Sequence, residues 1–186
     1  IQPYMSLFKE EDKDEVIDGY IKFIDPDIEI TSKVVENGDS KDFGVKPFKV
    51  VSEFNIDPFV ESAGENYILK IGKFIGPQVE MYQEKERKLP MESRFKRNYH
   101  RVITIHIPEN YSVEGLDKIN IKNSYEEDGE TLMLFHSHYT LENGVLTITA
   151  DEWYDMIEIP ASEYDAYRKV INSAADFNKL SLILKK

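Results

Sequence analysis

The residues that most constrain this chain are Asn143 and Gly144. Before them, Met133, Phe135, Tyr139 and Leu141 share one face of an alternating run; after them come Leu146, Ile148 and Ala150. Both central positions of a two-residue type I′ turn need positive φ, which Asn and Gly adopt at little cost, and that turn matches the twist of paired strands. The pattern predicts a long antiparallel hairpin, and a chain built on one must bury one of its faces. Beyond Asp151, Trp153, Ile157 and Ile159 fall in the opposite register from Ile148. An apolar inner face therefore predicts a bulge or bend at that point.

The rest of the chain reads as strands bracketed by two helices. In Glu11–Ile24, Val16, Ile17, Tyr20, Ile21 and Ile24 recur at helical spacing, with Gly19 weakening the helix and Pro26 ending it. The period then changes to two. Ile28, Ile30 and Val34 lead into a polar loop at 36–40 and a run at Val45–Phe54; Asn66–Ile75 follows, with Tyr67, Leu69 and Ile71 on one side. Gly76-Pro77 opens a charged crossover over 76–98, and Ile103, Ile105 and Ile107 form a strand ended by Pro108. Near the end, Ser162 stands three residues before Asp165, a capping pattern, and Tyr164, Tyr167, Ile171 and Ala174 make one stripe with Val170 and Phe177 beside it. Leu180–Leu184 closes the chain as a short apolar strand. The expected architecture is mainly β: an antiparallel two-sheet β-sandwich of roughly eight strands, with an N-terminal and a C-terminal helix.

At 186 residues the chain can bury roughly 70% of its unfolded surface, so a core needs neither metal nor disulfide. There is no cysteine, which removes a thiol nucleophile and thiolate metal ligands from this chain. Its net charge of −12 repels phosphate backbones and anionic lipid, so neither nucleic acid nor a membrane surface is expected as partner, and no apolar run is long enough to insert in a bilayer. The opening Ile1-Gln2-Pro3-Tyr4 lacks an initiator Met, so we expect a piece of a longer polypeptide.

The residues offer little reactive chemistry. G-x-S-x-G, S-x-x-K, G-x-G-x-x-G and the Walker pattern are missing, and Gly72–Gly76 has the spacing of no phosphate cradle. No cofactor is expected, and no catalytic residue can be named. His136-Ser137-His138 places two imidazoles on one strand face, about 6–7 Å apart at Cα, close enough to share a metal. A third ligand would have to come from His106, Asp151 or Glu152; otherwise the pair is an ordinary polar face opposite Phe135 and Tyr139. The acidic groups at 25–27 and 126–130 lack calcium-loop spacing and read as solvated loops. Trp153 and the 11 tyrosines suit either strand packing or a peptide- or glycan-binding face.

One asymmetry of charge is informative. Lys85, Arg87, Lys88, Arg94, Lys96, Arg97 and Arg101 stand against only Glu86 and Glu92, a local charge of +5 where the rest of the chain carries −17. Phe95 and Tyr99 are interleaved. Such a stripe either docks an acidic partner surface or neutralises the acidic strands beside it.

The order of several turn and strand-end motifs resembles a known family. They are Asp25-Pro26-Asp27 after the lead-in from Gln2, Val35–Asp39, Ile75-Gly76-Pro77-Gln78, Arg87-Lys88-Leu89-Pro90, Thr104–Pro108, Tyr164-Asp165-Ala166-Tyr167 and Asn172–Lys179. Nearly the whole chain is similar to the C-terminal β-rich domain of unknown function that follows the transglutaminase-like core in large bacterial envelope proteins of the Bacteroidetes type. The resemblance implies a non-catalytic accessory module, with residues 1–24 a helical lead-in from a preceding domain and 25–186 the β-sandwich, including a helix near 162–177. It implies a periplasmic or cell-surface setting through the parent protein. It also implies a neighbouring transglutaminase-like domain of the same polypeptide as partner. That core carries a Cys-His-Asp triad; with no Cys here, no catalytic residue transfers.

Overall fold

In the computed structural model, residues 2–5 and 7–186 are described. The chain divides into two compact units, Ile1–Pro58 and Phe59–Lys186. The change of period at Pro26 thus marks a change of secondary structure, whereas the boundary between compact units falls at Pro58.

The first unit holds a one-turn helix α1 (Gln2–Met5), helix α2 (Glu10–Lys22) and the strands β1 (Glu29–Glu36) and β2 (Lys49–Asn55). Helix α2 opens on Glu10, Glu11 and Asp12 and closes on Lys22, the charge order its dipole favours. Ile17 is its buried residue, while Tyr20 from the same stripe is exposed. β1 and β2 pair antiparallel, with a register shift between Ile30 and Ser32. Lys33 on β1 ties the hairpin to the helix: its ammonium donates to the Asp14 carbonyl at 3.0 Å and is paired with the carboxylates of Asp14 and Asp18. Burial opposes the charge on Lys33, yet the bonds to Asp18 and Asp14 outweigh it and hold its pKa above the usual lysine value.

The second unit contains β3 (Val60–Ala63), β4 (Asn66–Leu69), β5 (Met91–Glu92), β6 (Arg97–His106), β7 (Ser112–Glu114), β8 (Ile121–Glu127), β9 (Glu130–Glu142), β10 (Val145–Tyr154), β11 (Glu158–Ile159), helix α3 (Tyr164–Asn178) and β12 (Leu182–Lys185). Two four-stranded sheets dominate, ordered β6-β10-β9-β8 and β3-β4-β12-β7, and β11 pairs with β5 in a small ribbon. Every pairing is antiparallel. The mainly β, antiparallel character is as expected. The described residues form twelve strands rather than roughly eight, because strands of two to four residues such as β5, β7 and β11 are too short to show a period.

The long hairpin forms at the expected place. Asn143 and Gly144 have φ of 50° and 76°, and Glu142 faces Val145 across the turn. Asp128 and Gly129, at 51° and 83°, close the β8–β9 hairpin in the same way. Three expectations need correction. β10 shows no bulge after Asp151: its register with β9 and β6 runs unbroken to Tyr154, and Glu152 occupies the inward slot that an apolar residue was expected to claim. Ser162 does not cap α3; it sits in a 3-10 turn over Ala161–Glu163, and the helix begins at Tyr164 with no side-chain cap. The strand expected to reach Ile75 ends at Leu69, and Ile71–Ile75 is a 3-10 turn.

The stripe of α3 is buried as its spacing predicts. Tyr164, Tyr167, Val170, Ile171, Ala174 and Phe177 join Met133, Phe135, Leu146, Ile148 and Ala150 of the long sheet and Leu69 and Leu182 of the other in one core. The inner face of β8 and β9 is thus covered by a helix, where the sequence led us to expect a second sheet.

The 3-10 turn explains Gly72. Its N–H donates to the Leu180 carbonyl at 3.1 Å, and the Asn178 amide donates to the carbonyls of Gly72 and Gly76 at 2.9 and 2.8 Å. A Cβ on Gly72 would lie 2.2 Å from the Phe177 carbonyl oxygen. Gly72→Ala is expected to lower the stability of the second unit by about 2–3 kcal/mol, read as a reduced urea midpoint with an unchanged slope.

Candidate functional site

The basic stripe lies on the crossover and on the first half of β6, and the structure divides it into two groups. Arg87, Arg97 and Arg101 are half-buried and engaged within the fold. The Arg101 guanidinium donates to the Glu152 carboxylate at 2.8 Å and lies 4.6 Å from the Tyr99 ring centre. Arg97 lies 5.0 Å from the Tyr154 ring centre and donates to the Tyr167 hydroxyl at 3.4 Å. Arg87 sits 4.7 Å from the Tyr164 ring centre and donates to the Leu89 carbonyl. These are cation–π and charge-assisted contacts that hold the crossover and β6 against α3 and β10. Lys85, Lys88, Arg94 and Lys96 are exposed, and none has an ion pair among the described residues. Among the described residues Arg101 is thus the cation of the stripe that pairs with a carboxylate.

Glu152, one of the three candidates for the histidines' third ligand, is a buried carboxylate paired with Arg101. It is 4% exposed and faces inward, on the opposite side of β10 from the histidines, so it cannot serve as their third ligand. Its signal was legible as a charged residue at an inward position of an alternating strand. Beside it, burial and the Glu152 charge push the Tyr154 phenol far above the ordinary tyrosine range, and burial raises Tyr167 as well, against the pull of Arg97. The Tyr154 hydroxyl and Arg97 Nε are buried with no hydrogen-bond partner. Raised in this way, the phenols of Tyr154 and Tyr167 stay neutral at physiological pH.

The histidines occupy the other face of the same sheet. His136 and His138 lie opposite Phe135 and Tyr139, with ring centres 5.0 Å apart and planes inclined at 31°. His136 faces Asp151 across the β9–β10 pairing, but Asp151 Oδ1 is 2.6 Å from His100 Nδ1 on β6. His106 stands at the far end of β6, opposite Val145. Among the described residues no three His, Asp or Glu side chains converge on a point where a metal ion would sit. Burial, the neighbouring His138 and Lys122 hold His136 below the usual histidine pKa, with Asp151 opposing them.

Trp153 shares this outward face, between Leu134 and Asn98 on the flanking strands. It is half-buried, and its indole N–H donates to the Thr131 carbonyl at 3.2 Å. A cleft of about 350 Å³ lies instead between residues 83–87 and the start of α3, where Arg168 donates to the Gln83 carbonyl and to Asp165.

Two outcomes follow from this geometry. Arg101→Ala strands Glu152 in the interior and is expected to cost about 3 kcal/mol in urea unfolding, whereas joint replacement by Met and Leu recovers most of that loss. The depressed pKa of His136 means that the unfolded chain takes up the proton first. Stability is then lost as pH falls below about 6.5, and His136→Gln should flatten that decline in thermal unfolding between pH 7 and pH 5.

A family model described as Domain of Unknown Function with solved-structure structure, DUF3858, matches residues 68–184. No curated protein and no solved structure matches the chain significantly.

Proposed function

Since this chain belongs to the DUF3858 family of domains of unknown function, we propose that it is a non-catalytic accessory module, docking or positioning a transglutaminase-like core of the same envelope polypeptide. The setting is the periplasm or the cell surface, and the reactive cysteine belongs to that core. The observation that carries this reading is the division of the basic stripe. In a chain of net charge −12, Lys85, Lys88, Arg94 and Lys96 are exposed and have no ion pair among the described residues. Four unpaired cations beside an acidic surface select for an acidic partner patch and against most others.

The test is a binding titration between this chain and the transglutaminase-like domain of its own reading frame. Reversing all four cations to Glu is expected to weaken binding at least tenfold and to leave the far-ultraviolet spectrum and urea midpoint nearly unchanged, because exposed charges contribute little to stability. Equal affinity of the reversed protein, or a reading frame with no transglutaminase-like segment, rejects the proposal.

A further inference from the structure

Strand β6 has a single neighbour, β10. Among the described residues, no backbone group of Arg97–His106 bonds to any other backbone. Ten residues of open edge run about 33 Å, and each outward N–H and C=O there is unpaired within the fold.

Folded sheets guard such edges with proline, a bulge, a covering element or charges set along the strand. The opposite edge of this sheet has such guards. β8 has a register shift between Tyr125 and Glu126, exposed Glu126 and Glu127, and α3 packed against it. β6 has neither proline nor register shift over its ten pairs with β10. Its two arginines are engaged inward, Arg97 with Tyr154 and Tyr167 and Arg101 with Glu152. Solvent meets Asn98, Tyr99, His100, Val102 and Thr104, with Val102 55% and Tyr99 40% exposed. The unpaired cations Arg94 and Lys96 stand immediately before the strand begins.

We propose that the free edge of β6 accepts an extended acidic segment of a partner polypeptide as a fifth strand, its backbone pairing with β6 and its carboxylates meeting Arg94 and Lys96. This rests on the docking reading and names how the partner is held. Backbone pairing supplies affinity without a deep pocket, and charge selects the segment. The acidic choice follows from the stripe, which carries +5 in a chain of net charge −12.

The experiment uses the full chain and two synthetic ten-residue peptides of alternating Val and Glu, one of them N-methylated at every residue so that neither edge keeps a donor. The unmodified peptide is expected to slow hydrogen exchange of β6 amides at least tenfold. The N-methylated peptide keeps the charge and loses the donors, so its binding should be at least tenfold weaker. Arg94→Glu with Lys96→Glu should weaken the unmodified peptide similarly while leaving the urea midpoint unchanged. Equal binding of both peptides overturns strand addition and leaves docking by charge standing. Protection of β6 that grows with protein concentration, without peptide, makes a second copy the occupant and overturns the acidic-partner proposal. Failure to bind at millimolar peptide also overturns it. Conversely, a peptide that seats on β6 while four-cation reversal leaves the transglutaminase-like domain bound rejects the docking reading and keeps the edge.

Discussion

The pairing of β9 with β10 is the constraint from which the second unit is built. Ten consecutive residue pairs run from Glu142–Val145 to Met133–Tyr154 without a shift. Because side chains alternate between faces, that single register commits Met133, Phe135, Leu146, Ile148 and Ala150 to one side together. A slip by one residue would send the inward set of one strand to water, either Met133 and Phe135 with His136 and His138 brought inside, or Leu146, Ile148 and Ala150 with Asp151 brought inside. Burying a side chain of this size is worth about 1.5–3 kcal/mol, so the register is strongly specified. The stripe of α3 then has an apolar surface to cover, and β12 follows directly from the end of that helix to join the second sheet.

Glu152 shows what that register costs. Keeping β10 straight places a carboxylate in an inward position, and Arg101 on the neighbouring strand neutralises it at 2.8 Å. A bulge would have released Glu152 and turned Trp153 inward, at the expense of the ladder bonds beyond Asp151. The fold keeps the ladder and pairs the charge. This also decides the fate of the basic stripe, since the side chain that answers Glu152 comes from β6 and holds that strand's inner face. The four cations without such a task are those on the crossover, where no buried carboxylate lies near.

Much of the fold was readable in advance because it depends on local periodicity. The Asn143-Gly144 turn, the apolar stripe of α3 and the outward placement of His136 and His138 each follow from spacing within a few residues. The site was less readable. Lys85 and Arg101 look alike in a charge count, and only the cross-strand neighbour separates a structural cation from an exposed one. The sequence leaves Glu152 as one of three possible partners of the histidines, because the register that turns it inward depends on the strands beside it. Gly72 carried no signal at all, since the carbonyls that exclude a Cβ come from Phe177 and Asn178, more than a hundred residues away.

By itself the sequence determined the antiparallel strands, the turns and the apolar face of each element, because φ preference and alternation are properties of neighbouring residues. It determined as well that no thiol chemistry arises here and that one stretch is basic in an acidic chain. Only the tertiary structure decided that a helix covers the long sheet, that Glu152 and Arg101 pair in the interior, and that β6 ends its sheet with an open edge. Those outcomes depend on which distant segments meet, and a contact between distant segments leaves no periodic trace in either of them.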